Sequence, residues 1–505
     1  MKINVIEYLK QTVKNYPDKV AVKDSYEELS FNALLGSAYI LATEILSYNM
    51  RNKPVGVYIP KGCKSLQAFA GINISGNFYV PIDTKSPHSR VLSIINVLDS
   101  SIIITDKQHF EELSSICDKT ILVIENIIES GIADVAQCDS SQMHQIDTDP
   151  VYSIFTSGST GVPKGVVISH RGVIDYIDWA IEAFKIDSSS VIGNQAPFYF
   201  DNSTLDIYLM YATGATLVII PEQNFSFPAM LIDTLNEHKI TFVFWVPFVL
   251  INVANFDIFA SKKPGFLKDV FFAGEVMPCK HLNYWRKHLP QCRYANLYGP
   301  TEITVDCTYY EVKRDFEDNE SLPIGFPCRN SDVLILTDDN KIANVNQQGE
   351  LCVRGSSLAL GYYNDWEKTQ SAFIQNPLNS HYPELIYKTG DIVYLNTLGE
   401  IMYVGRKDSQ IKHNGYRIEL GEIETAVLCS QLVENCCVIY DFIRKRIILF
   451  YQSKKELDMS QFRKSVLTHI PKYMMPSDYY RVDDLKQNSN GKIDRLFYSK
   501  RVNEN

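Results

Sequence analysis

Up to about residue 320, short β-branched apolar runs alternate with segments of helical spacing. VGVYIP (55–60) precedes a helical stretch from about Cys63 to Ser75, YVPID (79–83) opens a loop at Pro87, and SIIIT (101–105) reads as a buried strand. Val151 to Phe155 is a further apolar, β-prone run. Thr216 to Ile220, Ile240 to Val246 and Val270 to Ala273 each follow a helix-like segment. Such alternation predicts βα units and an α/β fold of mainly parallel sheets flanked by helices. Past residue 320 the pattern changes. LILTD, GELCVRG (349–355) and EIMYVGR alternate with turn residues, as antiparallel strands do. From Asp408 the chain is charge-rich and reads as a small α+β module with a helix near Gly421 to Cys429. The boundary is placed at Arg406–Ser409, dividing residues 1–407 from 408–505.

At 505 residues the chain is too long for one core, so at least two domains are expected. A formal charge of −10 argues against nucleic acid or an anionic membrane as the main partner. Eleven cysteines lack metal-ligand spacing, and the close pair Cys436–Cys437 reads as buried filler, usage that suits a reducing cytosol. MKINVIEYLK has no signal-peptide core. The most apolar run, Ile240 to Ile251, is too short to span a bilayer and contains Pro247.

The first chemical signal is YSIFTSGSTGVPKGV, residues 152–166. Eight of the eleven residues from Thr156 to Val166 are Gly, Ser, Thr or Lys. Gly158, Gly161 and Gly165 allow close backbone approach, and Thr156, Ser157, Ser159 and Thr160 supply hydroxyls. Successive backbone N–H groups can form an anion-binding concavity, to which Lys164 adds a cation. A flexible linker would not start on a buried strand and end in VVIS. Neither is this the GxxxxGK[ST] loop, because no Ser or Thr follows Lys164. The loop is expected to bind a nucleotide's phosphates outside a P-loop fold.

Further motifs follow in order: FDNSTLDIY (200–208), NLYGPTE (296–302), GELCVRG (349–355), YKTGD (387–391), GRKDSQIKHNGYRIELGEIE (405–424) and NSNGKIDR (488–495). Together with the glycine loop, the set resembles the adenylate-forming enzymes: acyl-CoA synthetases, luciferases and adenylation domains of nonribosomal peptide synthetases. The match runs from about Glu7 to Arg495. It implies a large adenylation core, including a β-barrel-like part, and a small mobile C-terminal domain. It also implies the activity: a carboxylate is activated with Mg–ATP as an acyl-adenylate, and the acyl group then passes to a thiol.

The resemblance carries roles onto matching positions. Lys492 is expected to contact the attacking carboxylate oxygen and the α-phosphate, offsetting charge that builds in the transition state. Asp391 and Arg406 match the ribose binders. Tyr298 is expected to stack on adenine and Asn296 to bond its amino edge. Thr301 is expected to touch the α-phosphate, and Glu302 matches the magnesium-binding carboxylate. Thr156, Ser157, Gly158, Ser159, Thr160, Gly161 and Lys164 belong to the ATP loop. Asp408 matches the hinge about which the C-terminal domain rotates, bringing the face near Lys412 to Tyr416 to the carrier's pantetheine arm.

Amino-acid-activating members carry an acid at the position of Asp201, where it pairs with the α-ammonium; a cation in a partly dry cleft needs a nearby anion. The side-chain pocket maps onto Asn202, Leu205, Phe244, Phe271, Ala273, Leu297, Val305 and Asp306. Leu205, Phe244, Ala273, Leu297 and Val305 look like those of prolyl–carrier protein ligases, whereas Asn202 and Asp306 depart from them as a polar pair that needs partners. Proline or a small relative is the first expectation, and a small polar or cationic amino acid the second. The chain ends ten residues after Arg495 with no carrier domain, so a stand-alone enzyme is expected. It would be cytoplasmic and would load the phosphopantetheine of a separate carrier protein, as in natural-product biosynthesis. The alternatives are a D-alanine–carrier protein ligase for cell-wall modification, against which Ala273 counts, and a degenerate scaffold protein. Intact Lys164, Asp201, Asp391, Arg406 and Lys492 argue against the scaffold. An acyl-CoA synthetase is disfavoured by Asp201.

Overall fold

The computed structural model describes residues 2–158, 163–453, 455–486 and 493–503. Two compact units divide the chain. The first comprises Met1–Ile82, Leu98–Ile154 and Gly165–Lys407, the second Asp83–Val97, Phe155–Lys164 and Asp408–Asn505.

The apolar runs of the N-terminal half become strands of two large sheets. A seven-stranded sheet places Pro54–Tyr58 between Phe78–Pro81 and Ile102–Thr105, parallel to both, with Val55 opposite Tyr79 and Val57 opposite Ile104. Pro150–Thr156 and Lys164–Ser169 lie side by side further along the same sheet. A nine-stranded sheet has a parallel centre, in which Val191–Asn194, Phe242–Trp245, Asp269–Phe272 and Arg293–Tyr298 are neighbours. These strands are buried along most of their length, which requires cover on both faces and explains why they read as continuous apolar runs.

Two helices matter most for the site. His170–Phe184 is capped by Ser169, whose hydroxyl accepts the Gly172 amide at 3.2 Å, and ends at Lys185 in a left-handed conformation. Asn202–Thr213 is buried from Ser203 to Tyr211 and stops at Gly214, whose φ of 77° suits glycine. A helix buried on all sides has no polar face, so its sequence lacks an amphipathic stripe. Tyr79 of the seven-stranded sheet and Tyr208 of this helix share a hydrogen bond of 3.1 Å.

Residues 331–406 form a five-stranded antiparallel sheet, in which Gly349–Gly355 pairs with both Ser331–Leu336 and Leu385–Leu395. The second unit holds the hairpin Gln410–His413/Tyr416–Glu419, the helix Leu420–Cys429 and a three-stranded sheet around Arg446–Gln452. Within it, Arg90 and Glu422 form a buried ion pair. Among the described residues, no helix is long and apolar enough to cross a membrane.

Candidate active site

The glycine loop joins two adjacent strands of one sheet, Pro150–Thr156 and Lys164–Ser169. A P-loop instead leads from a strand into a helix, so the strand that follows Lys164 agrees with a different kind of phosphate loop. The Thr156 hydroxyl is buried with no hydrogen-bond partner among the described residues. Such a group costs free energy unless something completes it. Ser157 donates to the Arg417 carbonyl at 3.0 Å, Gly158 is buried, and Lys164 is half-buried as the first strand residue. Ser159, Thr160 and Gly161 lie outside the described residues, as does Lys492. Asp408, the expected hinge residue, accepts the Gln410 amide at 3.1 Å.

A second group of expected residues gathers in the first unit. Asn296 and Tyr298 occupy alternate positions of one strand and therefore share a face. The Asn296 amide donates to the Pro323 carbonyl at 2.8 Å. Asp391 and Arg406 are cross-strand partners, with Arg406 Nη1 3.0 Å from Asp391 Oδ1. The other carboxylate oxygen of Asp391 accepts a short hydrogen bond from the Tyr298 hydroxyl. Burial and the Asp391 charge push the Tyr298 phenol well above its ordinary pKa, which keeps it a donor. Thr301 and Glu302 sit in the single 3₁₀ turn Thr301–Ile303 just beyond that strand. Glu302 is fully buried and accepts the Tyr362 hydroxyl at 2.9 Å.

The pocket residues converge. Leu205, Phe244, Phe271, Ala273, Leu297 and Val305 belong to one contiguous apolar cluster, with Phe244 and Phe271 in register on adjacent parallel strands. Asp201 is the residue before the Asn202–Thr213 helix and is half-buried. The two polar residues of the expected pair differ in burial. Asp306 is 2% exposed, whereas Asn202 is half-buried because it opens a helix. Asp306 is met by a residue outside the expected set: the Tyr176 hydroxyl donates to its Oδ2 at 2.6 Å. No local signal marks Tyr176, which lies on the apolar face of a helix and reads as core. Tyr362, in the two-residue strand Gly361–Tyr362, carries no local signal either.

A family model of AMP-binding enzymes matches residues 9–363. The chain belongs to that family. It is therefore an adenylate-forming ligase of the kind that uses ATP. This AMP-binding enzyme is 31% identical to zwittermicin A synthase ZmaJ of Bacillus cereus, over 98% of this chain and 94% of that protein. It is 30% identical to the L-proline–[L-prolyl-carrier protein] ligase of Pseudomonas fluorescens, over 98% and 99% respectively. The solved adenylation domain AlmE of Vibrio cholerae, in complex with glycyl-adenosine-5'-phosphate, superposes with a TM-score of 0.84 at 21% identity. That alignment covers 100% of this chain and 98% of the other, and the α/β architecture read from the sequence is the fold of that domain.

Proposed function

We propose that this AMP-binding enzyme activates a small amino acid as its aminoacyl-adenylate and transfers the acyl group to the phosphopantetheine thiol of a separate carrier protein. One observation carries the amino-acid reading. Asp201 stands at the start of the helix whose next turn brings Leu205 into the apolar cluster of Phe244, Phe271, Ala273, Leu297 and Val305. A half-buried carboxylate beside an apolar cluster is the counter-charge an α-ammonium needs on leaving water. The likeness to a ligase named for L-proline and its carrier protein supports both the substrate class and the acceptor.

Bound Mg–ATP supplies the electrophilic α-phosphorus and the pyrophosphate leaving group. The chain's own residues fit it. Asp391, held by Arg406 and Tyr298, offers a fixed acceptor to a ribose diol. The Tyr298 hydroxyl is engaged by Asp391, and its ring keeps the adenine-stacking role implied by resemblance. Glu302 offers the hard oxygen donors that magnesium takes, with Thr301 beside it for the α-phosphate. The buried Thr156 hydroxyl suits a phosphate oxygen, and Lys164 and Lys492 keep the roles implied by resemblance. A substrate carboxylate oxygen attacks the α-phosphorus and pyrophosphate leaves. The carrier's thiol sulfur then attacks the acyl carbon, loses its proton and displaces AMP, forming the carbon–sulfur bond. We place the enzyme in the cytoplasm, where its eleven free cysteines stay reduced, with Asp408 as the hinge between the domains 1–407 and 408–505.

Amino-acid-dependent ATP–pyrophosphate exchange across a substrate panel tests the first step, and loading of a phosphopantetheinylated carrier protein tests the second. Exchange is expected with one or a few small amino acids. Exchange with fatty or aryl acids but with no amino acid would overturn the reading.

A further inference from the structure

Asp306 is an expensive residue to bury, and the chain spends further free energy to aim it. The preceding residues Thr304 and Val305 both have positive φ, 56° and 73°. That region is crowded for any side chain and an outlier for β-branched ones. The Asp306 amide donates back to the Thr304 carbonyl at 3.1 Å, closing a three-residue turn around Val305. Turns of this positive-φ kind are rare and strained. Strain of this sort, on the order of 1–3 kcal/mol per residue, persists only where the surroundings over-determine it. They do so here. Thr304 Oγ1 donates to the Ser357 carbonyl at 2.8 Å, and the Cys307 amide donates to the Tyr298 carbonyl at 2.8 Å. A Cβ on Gly299 would collide with the Val305 carbonyl and lie 2.6 Å from Asp306 Cα, so glycine alone permits the approach.

The turn delivers Asp306 to Tyr176, 130 residues away in sequence, at 2.6 Å. Tyr176 is itself 4% exposed, and apart from the half-buried Asn202 the other mapped pocket residues belong to the apolar cluster. A well-packed apolar pair of similar volume would stabilise such a core as well or better than a buried acid. The arrangement is therefore not explained by stability. Burial above all, then Asp306 and more weakly Asp201, pushes the Tyr176 phenol upward, so both acids lie near this one side chain. The phenol stays protonated, and its hydroxyl fixes which way the Asp306 carboxylate faces.

We propose that Tyr176 is a specificity-determining positioning residue, holding Asp306 so that its carboxylate receives a hydrogen-bond donor on a short substrate side chain. The proposal rests on the amino-acid reading above and sharpens it: the side chain bears a hydroxyl or an amine close to Cβ. Pairs of nearly equal shape isolate the donor: L-serine and L-2,3-diaminopropionate each against L-2-aminobutyrate, and L-threonine against L-valine, with L-alanine as the smaller control.

The test is pyrophosphate exchange with these six amino acids and L-proline, using the full chain, Tyr176→Phe and Asp306→Asn. The wild type is expected to favour one donor-bearing member over its isostere by about 100-fold in kcat/KM, and the preferred pair tells hydroxyl from amine. Tyr176→Phe should cut that ratio about 10-fold, mainly through the KM of the amino acid, with the KM for ATP unchanged. A merely structural tyrosine would not move the ratio. Asp306→Asn should lower it further, and adding Tyr176→Phe to Asp306→Asn should change little more. Should Tyr176→Phe fold poorly by thermal melt, Asp306→Asn provides the decisive ratio. A wild type that prefers proline or an isostere, or ratios unmoved in the variants, overturns this proposal while the amino-acid reading stands. Exchange with no amino acid overturns that reading, and this inference with it.

Discussion

Asp391 and Asp306 are both buried acids in the first unit, and they are built in opposite ways. Asp391 sits opposite Arg406 in a strand register and is bonded by a guanidinium and a phenol. Asp306 hangs from a strained turn, and its neighbour is the hydroxyl of a distant helix. The first is already paired within the fold, which suits the proposed role of orienting a neutral diol. The second is an acid beside the apolar cluster, with the Tyr176 phenol among its hydrogen-bond partners. Shared machinery can be built from local pairing, whereas selectivity for one side chain needs parts brought from several elements.

The largest break in this contrast should come from Asp391→Ala. It leaves Arg406, a side chain only 11% exposed, without its carboxylate. Removing one member of a buried pair costs about 3–5 kcal/mol. Urea denaturation should show that loss and exchange kinetics a steeply raised KM for ATP, while the preference among amino acids survives. A changed amino-acid preference would show that the two acids are not separate in function.

Asp201→Ala should do the reverse, raising the KM of the amino acid by about 100-fold or more with ATP binding nearly intact. Lys492→Ala is expected to slow adenylation by roughly 10²–10³ while sparing thioester formation from supplied aminoacyl-adenylate. Equal damage to both half-reactions would remove the special role of this lysine.

A third buried acid gives a pH signature. Asp206 lies on the helix Asn202–Thr213, accepts the Asn194 amide at 2.9 Å through one oxygen, and has a second oxygen buried without a partner among the described residues. Burial pushes its pKa up to about 8. The folded chain thus keeps a proton that the unfolded chain releases near pH 4, so stability falls as pH rises from about 4 to 8 and levels off above. The slope from this group is about 1.4 kcal/mol per pH unit. Asp206→Asn should flatten the wild-type decline between pH 6 and 8, measured by urea denaturation. An unchanged slope would mean that Asp206 is ionised in the fold.

The smallest expected effect is Ser169→Ala, which removes the cap of the helix that carries Tyr176. About 1 kcal/mol of stability should be lost, seen as a lower Tm, with amino-acid selectivity unchanged. If selectivity moved as much as in Tyr176→Phe, the selectivity would follow the helix rather than the hydroxyl.

Much of this was legible along the chain. YKTGD and GRKD place Asp391 and Arg406 on strands whose alternation is visible in sequence, and their pairing follows from an antiparallel connection. The apolar runs identified the parallel strands because burial on both faces demands uniformly apolar residues. Asp201 and the six apolar pocket residues were found by motif, and the fold gathers those six into one cluster. The polar side of the pocket was only half readable. Asn202 and Asp306 look alike in sequence, yet one opens a helix at the edge and the other is enclosed.

What the sequence determined by itself is therefore local: which runs become buried strands, and which motifs mark the chain as an AMP-binding enzyme. These follow from periodicity, backbone freedom and hydrogen-bonding groups a few residues apart. Only the tertiary structure decided that Tyr176 meets Asp306. A tyrosine on the apolar face of a helix is indistinguishable from core until the element opposite it is known. The positive φ of Thr304 and Val305 is equally invisible, because their side chains favour the opposite conformation and only the packing around Gly299 and Ser357 holds them against it.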